Sequence, residues 1–264
     1  KAIILFLMGG ISFALADAGG RLSPLPDHEW DYGHARHLLE RAGFGGTPDE
    51  IAKLTAMGLD AAVTALVEYE AIPDRLPAFE HSGIWDESMH PDVDLHMRFD
   101  DVMRKAAETG VVYSQKIRQA GPRPLQDITD ALYYKYLSSN REWQRVGVWW
   151  AERMLVTKRP LEEKMTLFWH GHFATEELKN DDYRLMLRQN ETMRHAATSN
   201  LRTLLIALSQ DPAMLLYLDN RLNVKGLANE NYAREILELF SLGVGNYTEQ
   251  DIKEAARALT GWRN

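Results

Sequence analysis

Two histidines separated by one residue, His170 and His172, form the densest group of side chains that could do chemistry in this sequence. They end a segment that starts as a helix should, because Pro160 suits a first helical position and Glu162 and Glu163 favour the positive end of the helix dipole. On a continuous helix, residues two apart point about 200° away from each other, so the imidazoles converge only if the helix ends near the intervening glycine. A His-x-His pair in turn backbone is a reasonable metal chelate, although a zinc site needs a third protein ligand. The alternative is one buried, hydrogen-bonded histidine and one surface histidine.

A second group of candidate residues lies on the predicted helix 229–242. Apolar residues cover most of its circumference, so we expect a largely buried helix whose charged side chains meet little solvent. Buried charges are paired, bind a metal or shift their pKa. Asn231, Glu235 and Glu238 share one stripe of this helix and could present a carboxylate pair to a metal or a substrate. The alternative is an internal salt-bridge network through Arg234. The candidate catalytic residues are Glu235, Glu238 and Glu230.

Further polar residues have the spacing of a shared helix face. His37 and Arg41 face the same way on the predicted helix 31–41, and Asn190 lies on the predicted helix 181–198. Residues of these types are more often caps, turn residues or surface residues than ligands. The candidate substrate-binding residues are His37, Arg41, Asn190, Asn231 and Arg234. The sequence contains no G-x-S-x-G, P-loop, G-x-G-x-x-G, C-x-x-C-H or H-E-x-x-H motif, so the common hydrolase-elbow, nucleotide, c-type haem and zinc-protease interpretations have no support.

The elements that must position these residues are predicted to be helices. Residues 47–50, Thr-Pro-Asp-Glu, form a capping box with proline at the first helical position. No alternating strand and no repeat of fixed period occurs. We predict an all-α, multi-helix array, orthogonal or bundle-like, with short loops and one irregular loop near 71–95. Besides those already named, the predicted helices include 47–57, 59–70, 96–119, 125–138, 142–157, 201–210 and 248–259.

Composition and the first residues predict the compartment. A net charge of -8 and a pI near 5.6 argue against a nucleic-acid binder, which needs a basic face. Residues 1–16 combine a lysine, an apolar core and an Ala-Leu-Ala end, which is typical of a cleaved secretory signal peptide. The apolar run is short for an uncleaved anchor, because spanning a bilayer takes about 20 residues. We therefore expect an exported protein, periplasmic or extracellular, without a stable membrane span after cleavage. Its organisation would be a leader over 17–30 and a single helical domain over 31–264.

Several motifs together resemble one large bacterial family, catalogued as domain of unknown function eighteen-hundred. The matching stretches are HLLERAGFG at 37–45, EKMTLFWHGHF at 163–173, Gln189-Asn190, DPAML at 211–215, Asp219-Asn220, the helix from Asn229, LGVG at 242–245 and AARALTGW at 255–262. The resemblance covers nearly everything from Tyr32 to the end. It implies an exported protein, often encoded beside a second exported family that is similar to sulfatases and alkaline phosphatases. It carries over no activity and no catalytic residue. The family domain continues well past the Gly-Trp motif, so we expect this chain to be truncated at its C-terminal end.

Three functions are compatible with these patterns. The first is an exported metal-dependent hydrolase. His170, His172 and Glu235 would bind or orient a divalent metal ion that activates water, and Glu238 or Glu230 would transfer protons. The second is a non-catalytic helical binding or scaffold protein that acts with an exported partner, for which the sulfatase-like family is the candidate. The third is a sugar- or polymer-binding cleft with a pair of acids. A deep polar pocket lined by the motif residues would count against the second.

Overall fold

The computed structural model describes residues 23–84, 104, 108, 126–180 and 182–262. Helices and tight turns make up the regular structure of these residues, together with one isolated bridge between Val224 and Leu227. The predicted all-α class is confirmed. The described residues do not include the predicted signal peptide, residues 85–95 of the predicted loop, or the predicted helix 96–119 apart from residues 104 and 108. The described part of that loop, 72–84, contains no helix.

Eleven α-helices follow one another along the described chain. They are α1 Tyr32–Ala42, α2 Pro48–Met57, α3 Leu59–Val67, α4 Gln126–Val156, α5 Pro160–His172, α6 Glu177–Asn180, α7 Tyr183–His195, α8 Leu201–Ser209, α9 Pro212–Tyr217, α10 Asn231–Glu235 and α11 Glu249–Ala258. Short 3-10 turns lie at Asp27–Glu29, Tyr69–Ala71 and Asn220–Leu222. The residues directly after α10, Ile236–Ser241, form a π-helix.

Local sequence signals fix the ends of the first helices. Asp31 caps α1 by accepting a hydrogen bond from the His34 N–H at 2.8 Å. Thr47 and Glu50 form the predicted capping box of α2 in both directions. Gly58 joins α2 to α3 with a φ of 82°, a left-handed conformation that favours glycine. The three helices bury one small apolar cluster, made of Ala35, Leu39, Ile51, Leu54, Ala62 and Leu66.

The predicted helices 125–138 and 142–157 are one continuous helix, α4, so the predicted break was wrong. Serines interrupt helices when their side chains hydrogen-bond the local backbone. In α4, Ser138 and Ser139 are instead buried, and the Ser139 hydroxyl accepts a hydrogen bond from the distant Tyr183 N–H at 2.8 Å. Tertiary packing therefore keeps α4 helical across a stretch whose sequence predicts a helix end. Among the described residues, no helix is both long enough and apolar enough to cross a bilayer.

Helix α7 is the central element, because it packs against α4, α5, α6, α8 and α9. Its C-terminal half contributes to the main core, where aromatic and aliphatic side chains from the end of α5 to the π-helix meet. The buried members of this core include Phe173, Met193, Leu204, Leu208, Met214, Tyr232 and Phe240. In its N-terminal half, Tyr183 and Leu187 pack with Phe79 and Val146 in a second cluster. Helix α7 therefore joins two apolar clusters.

Candidate functional site

Helix α5 runs without a break through Gly171 and ends at His172. The helix end that was expected near Gly171 comes one residue after it, so both histidines have helical backbone. The His170 ring lies edge-on against Trp150, with ring centroids 5.2 Å apart. Burial lowers the pKa of His170, so its imidazole is neutral at pH 7.

The His172 ring faces a different set of residues from that of His170. Its Nε2 lies 3.3 Å from the Phe240 carbonyl oxygen, and in the Nε2–H tautomer it donates a hydrogen bond to that oxygen at the end of the π-helix. The ring is stacked parallel to Phe168 and lies edge-on to Phe173. Donor side chains commonly bind the last carbonyls of a helix, which have no partner within it. His172 thus has a structural contact at one of the two nitrogens that a metal could use.

A metal centre needs at least three protein ligands in most sites. Among the residues that the structure describes, no three His, Cys, Asp or Glu side chains lie close enough together to hold a metal ion. The assignment of His170 and His172 as metal ligands therefore stays a prediction, and the described residues offer no third ligand beside them.

The predicted helix 229–242 is only half buried, so the expectation of a largely buried helix was wrong. Tyr232, Ala233 and Phe240 face the core, whereas Leu239 is 59 % exposed and Leu242 50 %. The sequence pattern assumed 3.6 residues per turn, but the chain changes to a π-helix at Ile236–Ser241. The Leu242 N–H bonds to the Leu237 carbonyl, five residues back, at 2.9 Å. The wider turn displaces the later side chains from the expected stripe, and such single π turns occur often at functional sites.

The carboxylates of this region lie at its partly exposed surface. Burial, together with the charge of Glu238, raises the pKa of Glu235. The Glu238 carboxylate accepts a hydrogen bond from the Tyr247 hydroxyl, and this bond raises the pKa of Tyr247. The two acids predicted to act together therefore do interact electrostatically. Glu230, the third candidate, lies 3.7 Å from the Arg234 guanidinium.

Arg234 does not join an internal network with Glu235 and Glu238. Its two terminal nitrogens donate to both oxygens of Glu249, each at 2.9 Å, on the exposed side of α11. Asn231 is exposed and donates from its amide to the Leu218 carbonyl at 3.2 Å. The remaining substrate-binding candidates on the first helix, His37 and Arg41, are exposed on α1.

A buried charge cluster that the sequence analysis missed lies between α4, α5 and α7. Its centre is Glu163, whose side chain is 0 % exposed. Glu163 accepts hydrogen bonds from Arg153 Nε at 2.9 Å, Arg194 Nε at 2.8 Å and Trp150 Nε1 at 3.0 Å. Charge-assisted bonds of this kind compensate a carboxylate for the loss of water.

Two further residues complete the cluster. Arg153 Nη2 donates to Asp74 Oδ2 at 2.8 Å, and Arg194 Nη2 donates to the side-chain oxygen of Asn190, Oδ1, at 2.6 Å. Both guanidinium groups also lie over the Trp149 ring, at 5.4 and 5.3 Å from its centroid. With Asp74, Arg153, Glu163, Asn190 and Arg194 together, two positive charges meet two negative ones. We call these five residues the buried charge cluster.

A signal for this cluster is present in the sequence. Glu163 and Thr166 share a face of α5 at i, i+3, and both are buried. On α7, Asn190 and Arg194 are spaced i, i+4 on the buried face. Polar residues at positions where a helix should be apolar predict a buried network. Glu163 was instead assigned only to the helix dipole, and Asn190 was assigned to a substrate.

Two concave regions lie away from the predicted site residues. A cavity of about 250 Å³ lies between 72–76 and 156–159. A larger open groove of about 1120 Å³ runs along α4 beside the segment 77–84. We call the latter the α4 groove; its lining includes Phe79, Tyr134, Leu137, Arg141, Val148 and Trp149. Neither region is lined by a predicted catalytic, substrate-binding or metal-binding residue.

Comparison with known proteins agrees with the motif resemblance. A family model described as protein of unknown function (DUF1800) matches residues 37–264. Searches of curated proteins and of solved structures return no match. The matched region includes α2 to α11, the π-helix and the whole buried charge cluster. This chain therefore belongs to the DUF1800 family of proteins of unknown function.

Proposed function

We propose that this chain is a non-catalytic helical binding protein that acts with an exported partner. The observation that carries the proposal is the α4 groove, which is lined by aromatic, aliphatic and charged side chains. Tyr134 is 53 % exposed there and Val148 60 %. Exposed apolar side chains gathered in one concave surface are typical of sites that bind another molecule.

The contacts of the predicted site residues also support a binding protein over an enzyme. His172 bonds the end of the π-helix, Asn190 bonds Arg194, and Arg234 bonds Glu249. The His172 and Arg234 contacts join separate elements, and the Asn190 contact binds Arg194 within α7 as part of the buried charge cluster. A deep polar pocket lined by motif residues would have counted against this hypothesis. Neither of the two concave regions described above is such a pocket.

The partner that the family resemblance suggests is a sulfatase-like exported protein. The test is a pull-down between the purified chain and a sulfatase-like protein encoded beside it. The groove variant is Val148→Glu, which places a charge among the exposed apolar groups. The matched control is Val244→Glu, at a valine that is 76 % exposed and does not line the groove.

We expect capture by the wild type and by the control, and a loss of about tenfold or more for the groove variant, because burying an unpaired charge opposes association. Equal capture by both variants would show that the partner does not bind at the α4 groove. No capture by the wild type would contradict the proposed partner.

A metal-dependent hydrolase is the second candidate, favoured by two observations. Glu235 has a raised pKa beside Glu238, which is what a proton-transfer group at neutral pH needs. In addition, His170 is neutral, as a metal ligand must be. The test is elemental analysis of the protein purified without a metal-binding tag. Near-stoichiometric metal that disappears in a His170→Ala, His172→Ala double variant would favour the hydrolase, and a folded metal-free protein would contradict it.

A further inference from the structure

The turn Asn220–Leu222, between α9 and α10, contains an arginine with two unpaired nitrogens. Arg221 Nε and Nη2 are both buried, and neither has a hydrogen-bond acceptor among the described residues. Leaving a charged donor buried without an acceptor is costly, because the group has lost its water and gained nothing in return. Such an orphan in a folded protein calls for a bound water, ion or ligand to satisfy it.

The two orphan nitrogens form one functional edge. In arginine, Nε–H and Nη2–H point the same way and fit the two oxygens of one carboxylate, phosphate or sulfate group. Arg194 shows this arrangement in the same protein: its Nε lies 2.8 Å from one oxygen of Glu163 and its Nη2 lies 3.3 Å from the other. The corresponding edge of Arg221 meets no such carboxylate in the part of the chain that the structure describes.

The carboxylates on either side of Arg221 in the sequence are engaged elsewhere. Asp219 accepts a hydrogen bond from Lys179 Nζ at 2.8 Å. Asp219 also has a φ of 58°, the only positive φ among the described non-glycine residues, which sets the direction of the turn that follows. Glu230 lies 3.7 Å from the Arg234 guanidinium. Neither acid compensates the Arg221 charge.

The residue before Arg221 adds a third orphan donor. Asn220 is 1 % exposed, and its Nδ2 has no acceptor among the described residues. Its amide cannot be turned round, because its neighbour Asn223 is fixed: Asn223 Oδ1 accepts from the Asn229 N–H, and Asn223 Nδ2 donates to the Ala256 carbonyl. Asn223 Nδ2 also donates to Asn220 Oδ1 at 3.2 Å. The oxygen of the Asn220 amide is therefore the atom next to Asn223, and the Asn220 Nδ2 hydrogens need an acceptor elsewhere.

We propose that the turn Asn220–Leu222 binds an oxyanion, with the Nε/Nη2 edge of Arg221 holding two oxygens of one carboxylate, phosphate or sulfate group. The orphan groups of this turn are all donors, three in two consecutive residues, and donors without acceptors select a negative ligand. This site is separate from the α4 groove and does not depend on the proposed partner.

Binding requires a local shift of the chain, because the two Arg221 nitrogens are closed to solvent. Asn223 is fixed, but the residues on either side of it are suited to such a shift. Leu222 and Leu227 are 49 % and 73 % exposed, and one isolated bridge, between Val224 and Leu227, closes the loop. Segments with few buried contacts open at low free-energy cost.

The experiment measures thermal unfolding and amide hydrogen exchange of the chain with sodium phosphate, sulfate or acetate, each against sodium chloride at equal ionic strength. At a concentration about 100-fold above Kd, the bound anion should raise the wild-type Tm by roughly 5–10 °C. Exchange should slow in 219–229. The three salts separate a tetrahedral oxyanion from a carboxylate, since the favoured class gives the larger shift.

The test variant is Arg221→Met, which removes the edge but keeps the length of the side chain. It should fold and lose the anion response. The control is Arg257→Met, at an arginine whose side chain is 78 % exposed and pairs with Glu254; it should keep the full response. Equal responses in the wild type and Arg221→Met, or no wild-type response beyond chloride, would overturn the proposal.

Discussion

The buried charge cluster and the turn at Arg221 place the same kind of guanidinium edge in opposite situations. The edge of Arg194 is buried against two carboxylate oxygens of Glu163, and its Nη2 also reaches Asn190. The edge of Arg221 is buried without an acceptor among the described residues. A buried arginine that is satisfied within the chain holds helices together, whereas one that is not satisfied indicates a ligand. Burial alone does not distinguish a structural charge from a binding one; the presence or absence of partners does.

The largest expected effect comes from breaking the satisfied case. Arg194→Met leaves Glu163 buried with a single guanidinium, so the free energy of unfolding should fall by about 3–5 kcal/mol. Urea denaturation measures this loss. The exposed control Arg257→Met should change stability by less than about 0.5 kcal/mol. A loss below about 1 kcal/mol for Arg194→Met would mean that the cluster is not what holds α5 to α7.

The same substitution at the unsatisfied arginine should have the opposite effect on the free energy of unfolding. Arg221→Met removes a desolvated edge that has no acceptor and replaces it with an apolar chain of similar length. In chloride buffer, the free energy of unfolding should rise by about 1–3 kcal/mol. Urea denaturation beside Arg194→Met tests the comparison directly. Destabilisation by Arg221→Met would show that its guanidinium contributes to the fold.

Asp211 and Gln189 offer a comparison with Arg221, because their buried atoms without a hydrogen-bond partner are acceptors rather than donors. Gln189 Nε2 donates to Asp211 Oδ1 at 2.8 Å, while Asp211 Oδ2 and Gln189 Oε1 have no donor among the described residues. Burial raises the pKa of Asp211 above its usual 3.8. An orphan acceptor on an acid is satisfied by a proton, whereas orphan donors need an anion.

The Asp211 contrast predicts a pH dependence. A raised pKa stabilises the fold below the unfolded value of 3.8, and that stability is lost as pH rises through the folded pKa. Asp211→Asn imitates the protonated acid without titrating, so its stability relative to wild type should increase with pH in urea denaturation above about pH 4. Asp251→Asn is the control of opposite sign, since hydrogen bonds from Thr248 lower the pKa of Asp251. A pH-independent difference for Asp211→Asn would show that folding does not raise the pKa of Asp211.

Local signals in the sequence predicted much of the fold. The capping box of Thr47 and Glu50 begins α2 where it was expected, and Pro160 is the first residue of α5. The break expected after Ser138 does not occur, because a distant N–H engages the Ser139 hydroxyl. Such a bond depends on tertiary contact, which no local pattern contains.

The candidate site was predicted less well than the fold. The prediction that His170 and His172 share a ligand depended on a helix end near Gly171. Helix α5 ends one residue later, at His172, and the two rings contact different residues. The stripe through Glu235 and Glu238 assumed an α-helical period that the π-helix changes. Glu163 was overlooked because its position in the first turn already had an explanation in the helix dipole. Its pairing with Arg194, 31 residues away, is visible only once α5 and α7 lie together.

The buried charge cluster also has a consequence for how this chain folds. It joins segments far apart in sequence, with Arg153 bonded to Asp74 across 79 residues and to Glu163 across 10. A partly folded state in which one of these segments has not yet docked would bury a charge without its partner. Partly assembled forms are therefore too high in free energy to accumulate, so we expect α4, α5 and α7 to come together in one late, cooperative step.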